Sequence, residues 1–258
     1  MRLSQAQLNL LETCPRKFQH TYLDQLGSPM TPEQQDRLTW GSQFHLLMQQ
    51  RELGLPMVPL DAEEGQLNRC MTAFVAAAPD LFQPRPGTRQ SEHRRTLEFH
   101  GYLLTVIYDL LILSDRQAHI LDWKTYPRPS QSERLRQNWQ TRLYRFVLAE
   151  TSAYEPEQIL MTYWFIQAEH DQVLTPQSLS FPYTAEQQER DRQDLTTRLN
   201  QLTEWLQRYD QGEPFPQINE TSSCPSCHFV ARCQREAVDL SAESVDVLNL
   251  DDIQEVAL

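Results

Sequence analysis

Residues 102–124, YLLTVIYDLLILSDRQAHILDWK, decide the fold of this 258-residue chain. Two apolar runs are separated by the polar residues 114–117, a pattern that predicts two strands joined by a turn. Each run carries one acidic residue, Asp109 in the first and Asp122 in the second. A charge on an otherwise apolar strand is costly unless it is paired or serves a site. The two aspartates are therefore the first candidate functional residues.

The residues that follow Asp122 extend this interpretation. Successive side chains of a strand point to opposite faces, so Asp122 and Lys124 share one face while Trp123 points away into packing. Carboxylates on neighbouring strands can hold Mg2+ through their oxygens, and a nearby ammonium can orient water or stabilise developing charge. The pattern predicts a metal centre that hydrolyses phosphodiesters. The alternative is an Asp-Lys surface pair at the strand ends, which accounts for Lys124 alone.

The spacing of apolar residues predicts the other elements. Residues 94–113 predict a hairpin with its turn at residues 100–101. Further strands are predicted at 118–126, at 159–168 and, as an edge strand because of Pro182, at 179–184. Helices are predicted over 32–52, 61–78, 132–151 and 185–209, after two short helices that meet at Cys14 and Pro15. The expected fold is α/β, with a mixed central sheet flanked by helices and preceded by a helical region.

Four of the five cysteines suggest a second site. Cys224, Cys227 and Cys233 form a C-x2-C-x5-C run, and Cys14 stands far from them in sequence. Four thiolates of this kind can hold a [4Fe-4S] cluster. A tetrahedral zinc site and two disulfides are the alternatives, and disulfides are the least favoured. Cys70 lies in an apolar helical pattern and is predicted to be an inert core thiol.

Composition limits the kinds of partner. The formal net charge is -12, which argues against holding nucleic acid by bulk electrostatics. Arginines grouped within 85–95 and within 134–145 leave room for a locally basic groove. No apolar run approaches the ~20 residues of a membrane span, and the sequence opens without a secretory signal. We therefore expect a cytoplasmic protein with no membrane partner.

Taken together, these motifs resemble the PD-(D/E)xK nuclease superfamily. The resemblance points to its RecB-like branch with an iron-sulfur cluster, which includes AddB-like nucleases and CRISPR-associated exonucleases. It runs from about residue 3 to residue 233. It rests on the two aspartates with Lys124 and on five further motifs: Cys14-Pro15, G-x3-H at Gly41 and His45, Ser91-Glu92, Q-x3-Y at Gln140 and Tyr144, and the closing cysteine run.

The resemblance implies a restriction-endonuclease-like fold and a role for each motif. His45, Asp109 and Asp122 would bind Mg2+ or Mn2+, and Lys124 would assist the water. Glu92 would complete the acidic site, while Gln140 and Tyr144 would orient the lysine or the phosphate backbone. One nuclease domain is expected over residues 1–237, divided into a helical region (1–90), a core (91–184) and a helix with the cysteines (185–237).

The implied activity is hydrolysis of DNA by an exonuclease that acts on single-stranded ends, in repair, recombination or defence. No GxxxxGK[ST] loop is present, so a helicase or other DNA-processing partner would have to unwind the substrate. The acidic segment 238–258 is expected to be a solvated tail or a docking segment for such a partner.

The sequence departs from the family pattern at two positions, of which the family tolerates the one at Asp122; the acidic net charge and the departure at Val106 support another interpretation. Val106 replaces the small residue that is common three positions before the first aspartate, and Asp122 replaces the commoner glutamate. A protein that keeps the nuclease fold but serves as an adaptor for DNA ends or protein partners is one alternative. A zinc-stapled scaffold unrelated to nucleic acid is the other.

Overall fold

The structure of the protein is a computed structural model, and it describes residues 1–27, 30–55, 64–83, 86–169, 172–173, 175–219, 224–225 and 227–235. The tail predicted over 238–258 lies outside these residues, as do residues 61–63 at the start of one predicted helix. No helix in the described part of the chain is both long and apolar enough to cross a membrane.

The N-terminal region is helical and begins with a short strand. After β1 (Arg2–Leu3) come α1 (Gln5–Thr13), α2 (Pro15–Phe18) and a π-helical turn (Gln19–Leu23). The backbone is extended at Cys14, with φ -162°. Pro15 has no N–H and is well placed at the first position of α2. The prediction of two short helices that meet at Cys14 is confirmed.

A longer helical segment precedes the sheet. It consists of α3 (Pro32–Glu52), α4 (Glu64–Ala77) and α5 (Pro79–Phe82). At the start of α3, Thr31 Oγ1 accepts from Gln34 N and Gln34 Oε1 accepts from Thr31 N, which is the reciprocal capping box. The bounds predicted for α3 are confirmed.

A six-stranded mixed sheet forms the centre of the described structure. Its strands are β1, β2 (Thr88–Phe99), β3 (Tyr102–Leu113), β4 (Ala118–Lys124), β5 (Ile159–Phe165) and β8 (Gln177–Pro182), in the order β1-β3-β4-β5-β8 with β2 also paired to β3. The β1–β3 and β4–β5 pairs are parallel and the others antiparallel. The edge position predicted for the strand with Pro182 is confirmed.

The remaining elements lie around the sheet. They are α6 (Ser132–Gln137), α7 (Trp139–Glu150), a 3-10 turn (Pro156–Gln158), α8 (Ala185–Tyr209) and the separate two-stranded pair β6 (Ala168–Glu169) and β7 (Gln172–Val173). The bounds predicted for α8 are confirmed.

Buried side chains form a core on each face of the sheet. The main core joins α1, α7 and α8 to the sheet and includes Leu8, Phe146 and Leu199. The second core joins α3 and α4 to the other face and includes Phe44 and Phe74. Helices thus flank both faces of the mixed sheet, which is the expected restriction-endonuclease-like α/β architecture.

Several predicted boundaries are wrong. β4 ends at Lys124 rather than residue 126, and β8 covers Gln177–Pro182 rather than 179–184. β2 begins at Thr88 rather than residue 94, and Arg89 holds its start by a bidentate pair to Glu52 of α3, at 2.8 and 2.7 Å. β5 ends at Phe165 rather than residue 168. The helix predicted over 132–151 is divided at Asn138, whose extended backbone ends α6 and whose Oδ1 accepts from Gln140 N to begin α7.

Candidate active site

Asp109 lies where the pairing between β2 and β3 is interrupted. The ladder pairs Ser91 with Leu110 and resumes at Tyr108, so Glu92 and Asp109 are left out. Ser91 Oγ donates to the backbone oxygen of Asp109 at 3.2 Å, and Glu92 has a left-handed backbone with φ 49°. Tyr108 packs in the main core and Leu110 in the second. The alternation of faces therefore shifts by one residue at Asp109.

The pairing between β3 and β4 also ends next to Asp109, so these two strands separate there; we call this point the fork. The last pair between β3 and β4 is Leu110 with Leu121. Beyond it the Trp123 N–H donates to Asp109 Oδ2 at 2.6 Å. A side-chain carboxylate thus takes the place of a backbone acceptor, and this bond fixes Asp109 at the fork between the strands.

Helix α3 brings His45 to this fork. His45 Nδ1 lies 3.4 Å from Asp109 Oδ1 and 3.9 Å from Glu92 Oε1. Its Nε2 lies 3.0 Å from the backbone oxygen of Trp123. The Nε2 contact leaves Nδ1 directed at the two carboxylates, and it holds the ring in that orientation.

Gly41, one helical turn before His45, explains the glycine of the G-x3-H motif. A Cβ added at Gly41 would lie 3.2 Å from Thr125 Oγ1, just after β4. That distance is tighter than an ordinary van der Waals contact. The absence of a side chain therefore lets α3 approach the end of β4, and this approach places His45 at the site.

His45, Glu92 and Asp109 form a candidate metal site. One ligand atom of each lies within 4.8 Å of the others, and this is the single such group of three among the residues that the structure describes. An imidazole with two carboxylates suits Mn2+, and Mg2+ takes the carboxylate oxygens. The sequence predicted His45, Asp109 and Asp122 as ligands, so the structure groups Glu92 rather than Asp122 with the other two.

The charges of this group perturb one another. Burial and the negative charge of Asp109 raise the pKa of Glu92 to about 7. Burial alone would lower the pKa of His45, but the charges of Asp109, Asp122 and Glu92, together with a hydrogen bond to Asp109, outweigh it and raise that pKa to about 9. Neighbouring carboxylates that repel each other are stabilised by a bound cation.

Asp122 and Lys124 form a buried ion pair beside the candidate metal site. Lys124 Nζ lies 2.7 Å from Asp122 Oδ1, and Gln140 Nε2 donates to Asp122 Oδ2 at 2.8 Å. Burial, with repulsion from Asp109, raises the pKa of Asp122 to about 6 although Lys124 opposes the rise. Trp123 packs in the second core, as the strand period predicts. Asp122 and Lys124 are 2% and 3% exposed, so the ion pair is almost fully shielded from solvent.

The two α7 residues of the Q-x3-Y motif lie behind Asp122. Gln140 bonds Asp122 directly, and it also hydrogen-bonds the Tyr144 hydroxyl. Tyr144 is 3% exposed and packs edge-on against Tyr108, with ring centroids 5.4 Å apart. In this arrangement Gln140 orients the carboxylate, and Tyr144 supports Gln140.

The four predicted cysteines line one cavity. Cys14 contributes from the break between α1 and α2, and the other three come from the segments 224–225 and 227–235. Burial raises the pKa of the Cys233 thiol, and the other three cysteines raise it further. Cys70 lies apart in the second core, where burial raises its pKa to about 11.

The structure removes two arginines from the predicted basic groove. Arg142 and Arg145 are buried: Arg142 bonds Asp191 at 2.6 Å, and Arg145 bonds the backbone oxygen of Pro182 at 2.9 Å. They are therefore not part of a basic groove.

Tyr163 is a residue near the site that the sequence did not indicate. It lies under Lys124, with the ammonium 5.5 Å from the ring centroid. It belongs to an ordinary apolar strand, so no local signal could have revealed it.

Comparisons with known proteins agree with this architecture. None of the curated proteins compared with the chain matches it. A crystal structure of a protein from Eubacterium rectale, provisionally named an exonuclease, superposes with a TM-score of 0.56 at 11% identity, over 90% of this chain and 87% of that one. At this identity the likeness concerns the fold. The structure of a protein named SSO0001 gives a TM-score of 0.33 at 12% identity, over 87% and 93% of the two chains.

A family comparison covers most of the sequence. The profile of the PD-(D/E)XK nuclease superfamily matches residues 2–234. This span contains both strands of the fork, helix α3 with His45, and all four cysteines of the cavity. The chain belongs to the PD-(D/E)XK nuclease superfamily.

Proposed function

We propose that this protein is a Mg2+- or Mn2+-dependent deoxyribonuclease that removes nucleotides from single-stranded DNA ends. The observation that carries the proposal is the convergence of His45, Glu92 and Asp109 within 4.8 Å, next to the buried pair of Asp122 and Lys124. The superfamily match over residues 2–234 supports hydrolysis of phosphodiesters by one domain, taken as residues 1–237.

The protein groups have separate roles in the proposed reaction. A divalent ion on His45, Glu92 and Asp109 would neutralise the scissile phosphate and lower the pKa of a bound water. Asp122 is held by Gln140 and in turn holds the Lys124 ammonium. Lys124 would orient the attacking water or stabilise charge on the phosphate, in a buried setting where a positive charge acts strongly.

We further propose that the cysteine cavity holds a [4Fe-4S] cluster. The donor set fits, because four thiols from both ends of the domain line one cavity. A tetrahedral zinc site would use the same four thiolates, so iron and zinc analysis of the purified protein separates the two.

Single-stranded DNA ends and a separate helicase remain part of the proposal. The protein from Eubacterium rectale is provisionally named an exonuclease, which supports action at ends. The chain has no GxxxxGK[ST] loop, so we propose that a separate ATP-driven protein exposes single strands for it. The context would be repair, recombination or defence.

The test is degradation of 5′-labelled and 3′-labelled single strands by anaerobically purified protein with Mg2+ or Mn2+. We expect wild-type protein to shorten one labelled end progressively, and Asp109→Asn and Lys124→Ala to abolish cleavage while keeping the visible iron-sulfur absorbance. Cleavage that persists in both variants would refute the site.

An adaptor that binds DNA ends without cutting them is the second candidate. The observation that favours it is the burial of Arg142 and Arg145 in a chain of net charge -12, which leaves fewer cations for a substrate backbone. If cluster-loaded wild-type protein binds labelled single strands but yields no product with either metal, the adaptor is the better description.

A further inference from the structure

We propose that Arg235 is a positioning residue for the cysteine cavity, where it donates to the Cys224 sulfur and raises the reduction potential of the cluster. The inference rests on the proposed [4Fe-4S] site. Arg235 Nη1 lies 3.5 Å from Cys224 Sγ, a distance typical of a hydrogen bond to sulfur. Arg235 also lines the cavity together with the four cysteines.

The other guanidinium nitrogens of Arg235 bind the segment that leads to the cysteines. Its Nε donates to Gln217 Oε1 at 3.1 Å, and its Nη2 donates to the backbone oxygen of Ile218. Arg235 therefore uses three nitrogens on three acceptors. A planar guanidinium has this fixed fork of donors, which a lysine ammonium does not reproduce.

Gln217 extends the network to another cysteine. Its Nε2 donates to the backbone oxygen of Cys233 at 3.2 Å. The backbone N–H of Arg235 donates to Val230 at 3.1 Å, which closes the turn that carries Cys233. One side chain thus fixes Cys224, the chain before it and the turn after Cys227 relative to one another.

This geometry has a redox consequence as well as a structural one. A hydrogen bond and a positive charge at a ligand sulfur withdraw electron density from it, which favours the reduced cluster. Such outer contacts also hold the ligand in place, and their loss typically weakens a metal site by about 10-fold or more. A residue with a purely structural role would change the rate of cluster loss but not the potential.

The experiment compares three variants of the full chain, purified anaerobically. Arg235→Gln removes the charge and the fork, and Arg235→Lys keeps the charge alone. Arg232→Gln is the matched control, because Arg232 lies exposed on the same turn. The measurements are the midpoint potential by redox titration and the rate at which the visible absorbance is lost to an iron chelator.

We expect Arg235→Gln to have a lower midpoint potential and to lose the cluster about 10-fold faster than wild type. Arg235→Lys should show an intermediate potential, and Arg232→Gln should match wild type. A wild-type potential in Arg235→Gln overturns the inference, as does an equal shift in Arg232→Gln. Wild-type protein that binds no iron would instead refute the proposed cofactor, and this inference with it, while leaving the nuclease site untouched.

Discussion

Lys124 shows how one residue depends on its surroundings. A lysine that is 3% exposed keeps its charge only if that charge is compensated, because an unpaired buried ion costs about 3–5 kcal/mol. Asp122 supplies the opposite charge at 2.7 Å, and Tyr163 supplies the face of its ring at 5.5 Å. The Tyr163 hydroxyl is within 2.7 Å of Thr141 Oγ1 on α7, which holds the ring in place.

Substitution of Tyr163 tests this support. A cation–π contact in a desolvated setting contributes about 1–2 kcal/mol. We therefore expect Tyr163→Leu to lower the single-turnover cleavage rate about 10-fold, with substrate affinity unchanged. Tyr163→Phe keeps the ring and should retain most of the rate. Equal losses in the two variants would show that the hydroxyl, not the ring, is what Lys124 requires.

His119 gives a prediction about pH that is independent of the active site. Its Nε2 lies 2.8 Å from Thr162 Oγ1, which is in turn 2.9 Å from Ser180 Oγ, so it links β4, β5 and β8. Burial lowers its pKa from 6.5 to about 4. The unfolded chain then binds more protons between these values, so the stability gained from neutral His119 is present above pH 6.5 and is lost as the pH falls toward 4.

We expect wild-type protein to lose more stability than His119→Gln between pH 7 and pH 4.5. The measurement is the urea midpoint of both proteins at each pH. Because all carboxylates titrate equally in the two proteins, the difference between their losses isolates His119. Parallel losses would contradict the assignment.

At the scale of elements, the interruption between β2 and β3 makes the candidate site. In a regular ladder Glu92 and Asp109 would pair with each other, but neither is paired here. The pairs on both sides of them, Ser91 with Leu110 and His93 with Tyr108, keep the same register. The cost is a left-handed backbone at Glu92, which for a residue with a Cβ is about 1–2 kcal/mol. The interruption lets residues of β2 and β3 reach the same point as His45 from α3.

The strain at Glu92 can be separated from its role as a ligand. Both Glu92→Gly and Glu92→Ala remove the carboxylate, but only glycine accepts the left-handed backbone without cost. We expect Glu92→Gly to be about 1 kcal/mol more stable to urea than Glu92→Ala. Both variants should lose most of the thermal stabilisation that Mn2+ gives wild-type protein. Equal stability of the two would show that the backbone relaxes in Glu92→Ala.

Local patterns in the sequence predicted the elements that local interactions define. The turn at His100 and Gly101 has φ of 50° and 78°, as the two-residue hairpin signal requires. The break at Asn138 was missed because it depends on Asn9, whose Oδ1 accepts from Trp139 N from 130 positions away. The burial of Arg142 was missed for the same reason, since Asp191 lies on α8.

Contacts between residues that are distant in sequence also limited what could be predicted of the candidate site. The residue types of the fork were visible in sequence, and a family resemblance supplied His45 and Glu92. The prediction of Asp122 as a metal ligand stays a prediction, and the interrupted pairing that brings Glu92 next to His45 and Asp109 was not visible in the sequence. The alternation of apolar and polar residues predicts which face of the sheet a strand residue occupies, but it does not predict where the hydrogen-bonded pairing of the strands is interrupted.

At the scale of the whole molecule, the N-terminal segment binds the chain that leads to the cysteines. Arg16 Nε donates to the backbone oxygen of Phe215 at 2.6 Å, and Gln19 Oε1 accepts from Phe215 N at 2.8 Å. The Phe215 ring stacks on Phe18, with centroids 6.1 Å apart. We call these residues the Phe215 contact. It holds the two ends together through protein groups alone, separately from the cysteine cavity.

The Phe215 contact predicts how the protein responds when the cysteine site is disrupted. Metal binding is often coupled to folding, but here the sheet and its two cores lie outside the cavity. We expect Cys227→Ser to lose the visible absorbance yet unfold in urea with a cooperative transition. Limited trypsin should cut it faster than wild type at Arg232 and Arg235, and should leave a resistant fragment that ends at Arg232, because the next tryptic site before it is Arg208 in α8.

A second substitution tests whether the Phe215 contact is what keeps trypsin cleavage from spreading in Cys227→Ser. Gln19→Ala leaves the buried Phe215 N–H without its acceptor, which costs about 1–3 kcal/mol. In wild-type background the cysteine site still joins the ends, so we expect Gln19→Ala alone to leave the trypsin pattern unchanged. Combined with Cys227→Ser, it should extend cleavage into α8, because neither link then holds the segment after Tyr209. A single mutant Cys227→Ser that already lacks any resistant fragment would mean that the cysteine site, and not the Phe215 contact, joins the two ends.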